Sequence, residues 1–138
     1  LCEDLRSRLS VLEDFVEKIS RCAPDVVERY RANLHKRLNV AGLDIDSDDE
    51  RVMKEIGLFA ERSDISEEIT RLRSHFLQCS RYFESFDPVG RPLDFLAQEI
   101  NRELNTIGSK ANDAGIAQYI IEAKTELEKI REQVQNIE

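Results

Sequence analysis

Hydrophobic residues recur along most of the chain at the three- and four-residue spacing of an amphipathic α-helix. The first such stretch runs from Leu5 to Ile19. Pro24 follows it and can begin a second helix, because the first turn of a helix leaves the N–H that proline lacks unpaired anyway. Apolar residues continue from Val26 to Leu38. The pattern therefore predicts a helical hairpin or a bent arm in residues 1–43.

The remaining pattern predicts a small helical bundle in residues 44–138. Residues 39–49 break the periodicity, and Ser47 followed by Glu50 has the spacing of a helix-capping box. Asp64 either caps the next helix or lies within a continuing one, and an apolar face then runs over 65–83. Residues 86–92 have the composition of a loop, and two more amphipathic segments follow it. We expect an all-α fold of about five to six helices.

Composition narrows the class of protein. The chain has 138 residues and three cysteines without CxxC spacing, which argues against a disulfide-rich scaffold and a zinc ribbon. No apolar run approaches the ~20 residues needed to cross a bilayer, so no membrane partner is expected. The first residue is Leu1 rather than Met, and we therefore expect a fragment or a processed product.

Charge argues against nucleic-acid binding by the surface as a whole. The chain has 28 Asp and Glu against 20 Lys and Arg, whereas phosphate binding requires clustered cations. Arginine nevertheless outnumbers lysine by 14 to 6, and arginine suits bidentate contacts to phosphate. A locally basic groove on an acidic protein is therefore still compatible with the sequence.

The first candidate site precedes and includes His75. On one continuous helix, Glu61, Asp64, Glu68, Arg71 and His75 would share a stripe beside the apolar face. Stacked carboxylates repel one another, and a divalent cation such as Mg²⁺ or Mn²⁺ would relieve that repulsion. The alternative is a charged helix flank in which neighbouring arginines pair with the acids.

The second candidate site lies on the following helix, where Glu99 and Glu103 share a stripe with Lys110. If the two helices pack together, carboxylates from both could surround one metal ion, hold a phosphodiester and activate water. His75 would then carry a proton or bind the ion. The alternative is interhelical salt bridging of Glu99 or Glu103 with Arg71 or Arg102.

Two other kinds of metal site, a calcium-binding EF-hand and a di-iron bundle, require residues that this sequence lacks. Asp44, Asp46, Asp48 and Glu55 match four positions of a calcium-binding EF-hand loop, but Asp49 stands where the loop requires glycine. A di-iron bundle requires Glu-x-x-His pairs, and neither histidine has a glutamate three residues before it.

Several longer segments resemble the bacterial YicC family. They are residues 61–68 (ERSDISEE), 71–75 (RLRSH), 90–96 (GRPLDFL), 98–103 (QEINRE), 105–106 (NT), 109–110 (SK) and the ending 128–138 (EKIREQVQNIE). The resemblance is strong from about residue 50 onward and looser over the first helices.

The resemblance implies a metal-dependent endoribonuclease of the bacterial cytoplasm, with RNA as its partner and a homo-oligomeric, hexameric ring as its assembly. It also implies a further N-terminal region that this sequence lacks. Combined with the two acidic stripes, it assigns Mn²⁺ or Mg²⁺ to five acids: Glu61, Asp64, Glu68, Glu99 and Glu103. The predicted catalytic residues are His75, Glu68 and Glu103. The predicted RNA phosphate ligands are Arg71, Arg91, Arg102 and Lys110.

The alternative function is a non-catalytic helical module for oligomerisation or interaction. Its basis is the length of the apolar faces, which a chain of 138 residues does not readily bury alone. A helix-turn-helix DNA binder is disfavoured, because no helix presents a basic, polar outward face for the major groove.

Overall fold

The computed structural model describes residues 2–46 and 48–137, and within them it contains five α-helices and no strand. These are α1 (Cys2–Val40), α2 (Glu50–Arg62), α3 (Ser66–Phe83), α4 (Gly90–Ala111) and α5 (Ala114–Ile137). The predicted all-α fold is confirmed, with a helix number at the lower end of the expected range. None of these helices is long and apolar enough to span a bilayer.

The predicted hairpin at Pro24 is wrong, because α1 continues through this residue as one helix of 39 residues. Ile19 and Val26 are both buried on either side of Pro24. They are two helical turns apart and therefore lie on the same face. A continuous helix keeps both in the core, at the cost of the hydrogen bond that the Ser20 carbonyl would accept from residue 24.

The core lies between α3, α4, α5 and the N-terminal part of α1. Helix α5 runs antiparallel to α1, with Gln133 beside Asp4 at one end and Arg29 bound to Asp113 at the other. Helices α3 and α4 pack on each other and complete the bundle. The largest fully buried apolar side chains are Leu12, Val16, Ile19, Leu72, Ile100, Leu104, Ile107 and Ile116.

Residues 29–40 of α1, here called the α1 arm, extend beyond the start of α5. Helix α2 packs along this part of α1. The rings of Tyr30 and Phe59 stack with their centroids 3.8 Å apart, and the Tyr30 hydroxyl donates to Glu55 over 2.8 Å. The boundary proposed at residue 43 lies in the loop between α1 and α2, and a division of the chain into two domains there stays a prediction.

Short turns join the helices next to the site described below. Asn112 ends α4 in the left-handed conformation, with φ of 45°. The carboxylate of Asp113 then accepts a hydrogen bond from the Ile116 N–H at the start of α5. At the start of α3, the carboxylate of Asp64 accepts hydrogen bonds from the N–H and the hydroxyl of Ser66. The start of α3 and the end of α4 thus lie at the same end of the bundle, where Lys110 approaches the Asp64 carbonyl.

Candidate functional site

Two of the predicted site carboxylates are buried in the interface between α3 and α4. The Glu68 side chain is 2% exposed and that of Glu103 is 9% exposed. Both residues flank apolar positions that pack in the core, so helical periodicity carries them inward. A buried carboxylate is costly unless cations or hydrogen-bond donors compensate its charge. Glu68 and Glu103 therefore need cations or hydrogen-bond donors beside their carboxylates.

Arg71 of α3 and Lys110 of α4 are those partners. Arg71 Nε donates to Glu103 Oε1 over 2.8 Å, and its Nη2 lies 3.6 Å from Glu68 Oε1. Lys110 Nζ lies 2.5 Å from the same Glu68 oxygen. We call Glu68, Arg71, Glu103 and Lys110 the charge cluster. It joins the two helices by two cross-helix ion pairs, Arg71–Glu103 and Lys110–Glu68.

Both cations of the charge cluster stay accessible to solvent. The Arg71 side chain is 48% exposed and that of Lys110 is 36% exposed. The hydrogen bond to Glu103 raises the pKa of Arg71, and the hydrogen bond to Glu68 raises the pKa of Lys110. The buried acids thus hold two positively charged groups at the surface, where an anion can reach them.

Two buried polar atoms near the charge cluster have no hydrogen-bond partner within the described residues. They are Glu68 Oε2 and His75 Nδ1. Helices α3 and α4 are antiparallel, since Glu68 lies beside Lys110 and Arg71 beside Glu103. The same register places His75 one turn beyond Arg71, at the level of Glu99. His75 therefore belongs to the same face of the α3–α4 interface, and among the described residues its Nδ1 forms no hydrogen bond with the cluster.

Of the other predicted metal ligands, Asp64 adjoins the cluster through its backbone carbonyl, 3.5 Å from Lys110 Nζ, whereas Glu61 and Glu99 have other surroundings. The helix does not continue through Asp64, so Glu61 is exposed at the end of α2 and does not share a stripe with Glu68. The Asp64 carboxylate is bound by Ser66, which lowers its pKa. Glu99 forms a surface pair with Arg102 at 3.6 Å.

The residues present do not make up a complete site for a divalent ion. Among the residues that the structure describes, no group of three or more His, Cys, Asp or Glu side chains is placed to hold a metal. Glu68 and Glu103 share Arg71 as a partner, and Arg71 and Lys110 occupy the space beside their oxygens. This arrangement is the interhelical salt bridging that the sequence analysis gave as the alternative.

Of the four predicted phosphate ligands, two belong to the charge cluster and two lie elsewhere. Arg71 and Lys110 lie side by side in the cluster, whereas Arg102 is on the outer surface of α4. Arg91 is in the first turn of α4, about 30 Å along the helix from Lys110. There it lines a cleft of about 780 Å³ together with the exposed Phe86.

The pair between Glu68 and Lys110 was missed in the sequence analysis, which assigned Lys110 to phosphate alone. The signal for it is the antiparallel register. In an antiparallel pair, residues before Arg71 on α3 lie opposite residues after Glu103 on α4. Glu68 comes before Arg71 and Lys110 comes after Glu103, so these two side chains can meet.

Comparisons with known proteins match the chain to one family. A family profile described as "Endoribonuclease YicC-like, C-terminal" matches residues 19–138. A protein of Clostridioides difficile (strain 630) named "Probable endoribonuclease YicC" is 45% identical over 100% of this chain and 47% of its own length. A protein of Haemophilus influenzae with the same name is 37% identical over 97% of this chain and 46% of its own length. The chain thus spans about half the length of these relatives, and it belongs to the YicC family, whose C-terminal region it matches.

Proposed function

We propose that this chain is the RNA-cleaving C-terminal part of an endoribonuclease, with the charge cluster as the place where the scissile phosphodiester is held. The observation that carries the proposal is the fixed pair of exposed cations, Arg71 and Lys110, on two buried carboxylates. Two relatives named as probable endoribonucleases support it. The cluster also lies within the segments that resemble the family most closely.

The proposed chemistry is electrostatic. Arg71 and Lys110 contact the non-bridging oxygens of the phosphodiester and stabilise the negative charge that grows on them in the transition state. Glu68 and Glu103 keep both cations in place, so that little reorganisation is needed during the reaction. His75 is the proton carrier on the same face, since its imidazole ring has two nitrogens for proton transfer and its Nδ1 has no partner among the described residues. The attacking group is water or the RNA 2′-hydroxyl.

Binding of a divalent ion, Mn²⁺ or Mg²⁺, stays a proposal. It requires a form of the protein in which further ligands join Glu68 and Glu103. Glu61, Asp64 and Glu99 stay candidate ligands, although among the described residues none of their carboxylates pairs with Arg71 or Lys110. Because the set in one chain is incomplete, no step of the reaction is assigned to the ion. Addition of Mn²⁺ to a chelated sample tests the proposal, and an unchanged cleavage rate would contradict it.

The assembly and the location are proposed on the resemblance. We propose a homo-oligomer, a hexamer in the family, that acts on RNA in the bacterial cytoplasm. Burial of exposed apolar side chains between copies of the chain would favour self-association. Among the described residues, the exposed large apolar side chains are Val11, Val40, Leu43, Met53, Leu58, Leu77, Phe86, Phe95 and Ile121.

Site-directed variants test the proposed site. We expect Arg71→Gln and Lys110→Gln each to lower the single-turnover rate of RNA cleavage about 10²–10³-fold, the usual loss for one charge-stabilising group. The matched control is Lys124→Gln, which removes a positive charge from α5. The measurement uses the chain alone and joined to the N-terminal region that the resemblance predicts. Cleavage rates equal to the control in both variants would contradict the assignment.

The second candidate is the non-catalytic interaction module, and the ion pairing itself favours it. In that case the charge cluster would only join α3 to α4. Sedimentation and cleavage assays on the same sample separate the two candidates. A stable oligomer that cleaves no RNA in either form of the protein would favour the second.

A further inference from the structure

The charge of this acidic chain is distributed unevenly, and one segment of it is basic. Residues 29–43 carry four Arg or Lys side chains and no Asp or Glu, whereas the whole chain has a net charge of −8. Most of this segment is the α1 arm, where the cations are Arg29, Arg31, Lys36 and Arg37. This basic segment departs from the expectation, drawn from the sequence, that no helix presents a basic, polar outward face.

Three of these cations share one side of the arm with Asn33. At 100° per residue, Arg29, Asn33, Lys36 and Arg37 fall within about 100° of the helix surface. All four are exposed. Tyr30, which stacks on Phe59 of α2, borders this group next to Arg37, and the half-buried Leu34 lies further round the helix. We call the four exposed residues the arm stripe.

Two cations of the arm stripe are without carboxylate partners. Arg29 pairs with Asp113 at 2.5 Å. Within the part of the chain that the structure describes, neither Lys36 nor Arg37 has a carboxylate within salt-bridge distance. Helix α5 begins beside Arg29 and leaves this side of α1 uncovered further along. The positive charge of the stripe is therefore available to a ligand.

The arm stripe begins at the same end of the bundle as the charge cluster. Lys110 lies one turn before Asp113, which binds Arg29. Lys36 is then two turns from Arg29, about 10 Å along the helix axis. A single strand held at the cluster could thus continue along the arm within a few nucleotides.

We infer that the arm stripe binds the RNA backbone on one side of the cleavage position, through Lys36 and Arg37. This inference rests on the proposed function, which supplies RNA as the polyanion. Cations that follow a strand bind phosphates without regard to sequence and release counterions. The stripe adds affinity for RNA long enough to reach it, and it does not touch the reacting phosphate.

Salt-dependent binding tests the inference. The double variant Lys36→Gln with Arg37→Gln is compared with the wild-type chain, using a labelled single-stranded RNA of about 16 nucleotides. The slope of log affinity against log salt concentration is expected to become shallower by about 0.7 for each lost phosphate contact. The matched control is Arg81→Gln with Lys129→Gln, which removes two positive charges from α3 and α5. Circular dichroism checks that both variants fold.

The outcomes separate this inference from the proposed function. A shallower slope in the arm variant alone supports the inference, even if no variant cleaves RNA. Equal slopes in wild-type and arm variant, equal changes in both double variants, or no RNA binding by the wild-type chain would overturn it. Normal cleavage together with an unchanged slope would overturn the inference and leave the proposed function standing.

Discussion

At the scale of single residues, the buried acids define the candidate site. Glu68 and Glu103 are buried because they border the apolar faces of α3 and α4, and each is compensated by a cation of the opposite helix. The consequence is an ion-paired interface whose cations stay half-exposed. A site of this kind can hold an anion without any rearrangement of the helices.

The pair between Lys110 and Glu68 predicts how stability depends on pH. Pairing raises the pKa of Lys110, so its contribution is complete below the unfolded pKa of about 10.4 and is lost as the pH rises through the folded pKa. The difference in unfolding free energy between wild type and Lys110→Gln should therefore be constant near neutral pH and shrink above about pH 10.4. Urea unfolding followed by circular dichroism measures it. A difference that stays constant into the alkaline range would contradict the pairing.

The sequence alone could place these acids beside the apolar faces, but it could not choose their partners. Periodicity gives the side of a helix on which Glu103 lies, and it does not give the register between α3 and α4. That register decides between a shared ion and a pair with Arg71. It is set by packing of Leu72, Ile100 and Leu104 in the core, which no local pattern reports.

At the scale of secondary-structure elements, α1 differs most from the prediction made from the sequence. Pro24 was expected to separate two helices, since proline is unfavourable inside a helix. The burial of Ile19 and Val26 on one face outweighs that local preference and keeps α1 continuous. At the start of α2 the cap is Asp49, whose carboxylate accepts from the Arg51 N–H, and the predicted capping residue Ser47 lies outside the described residues.

Pro24 therefore lowers the stability of α1, and a substitution can restore the lost hydrogen bond. Pro24→Ala restores the missing N–H to the Ser20 carbonyl and is expected to raise the free energy of unfolding by about 1–2 kcal/mol. Urea denaturation measures the change, with Ala32→Pro as the converse variant at an exposed position of the same helix. A loss of stability in Pro24→Ala would indicate that the proline relieves strain.

At the scale of the whole molecule, stability and function are distributed unevenly. The four-helix bundle contains nearly all of the buried apolar side chains, and α2 contributes Val52 and Ile56 against the arm. The charge cluster lies within the stable bundle, and the arm stripe lies on the part that extends beyond it. The all-α class and the break near residue 43 followed from composition and periodicity, while this division of roles required the packing.

Hydrogen exchange tests this division. Segments with few buried apolar contacts open more often, so we expect amides of α2 and of residues 29–40 to exchange faster than those of α3 and α4. Mass spectrometry of peptide fragments at several exchange times measures the protection. Equal protection of α2 and α4 would contradict the assignment of α2 to a less stable part.

The most direct test of the charge cluster as the reaction site is a double-variant comparison of single-turnover RNA cleavage. If Arg71 and Lys110 act together on one phosphate, the variant that lacks both should lose little more than the more damaged single variant, as for residues that act as a unit. Losses in the single variants that simply multiply in the double variant would show that the two residues act independently. Cleavage at the wild-type rate by the double variant would contradict the account.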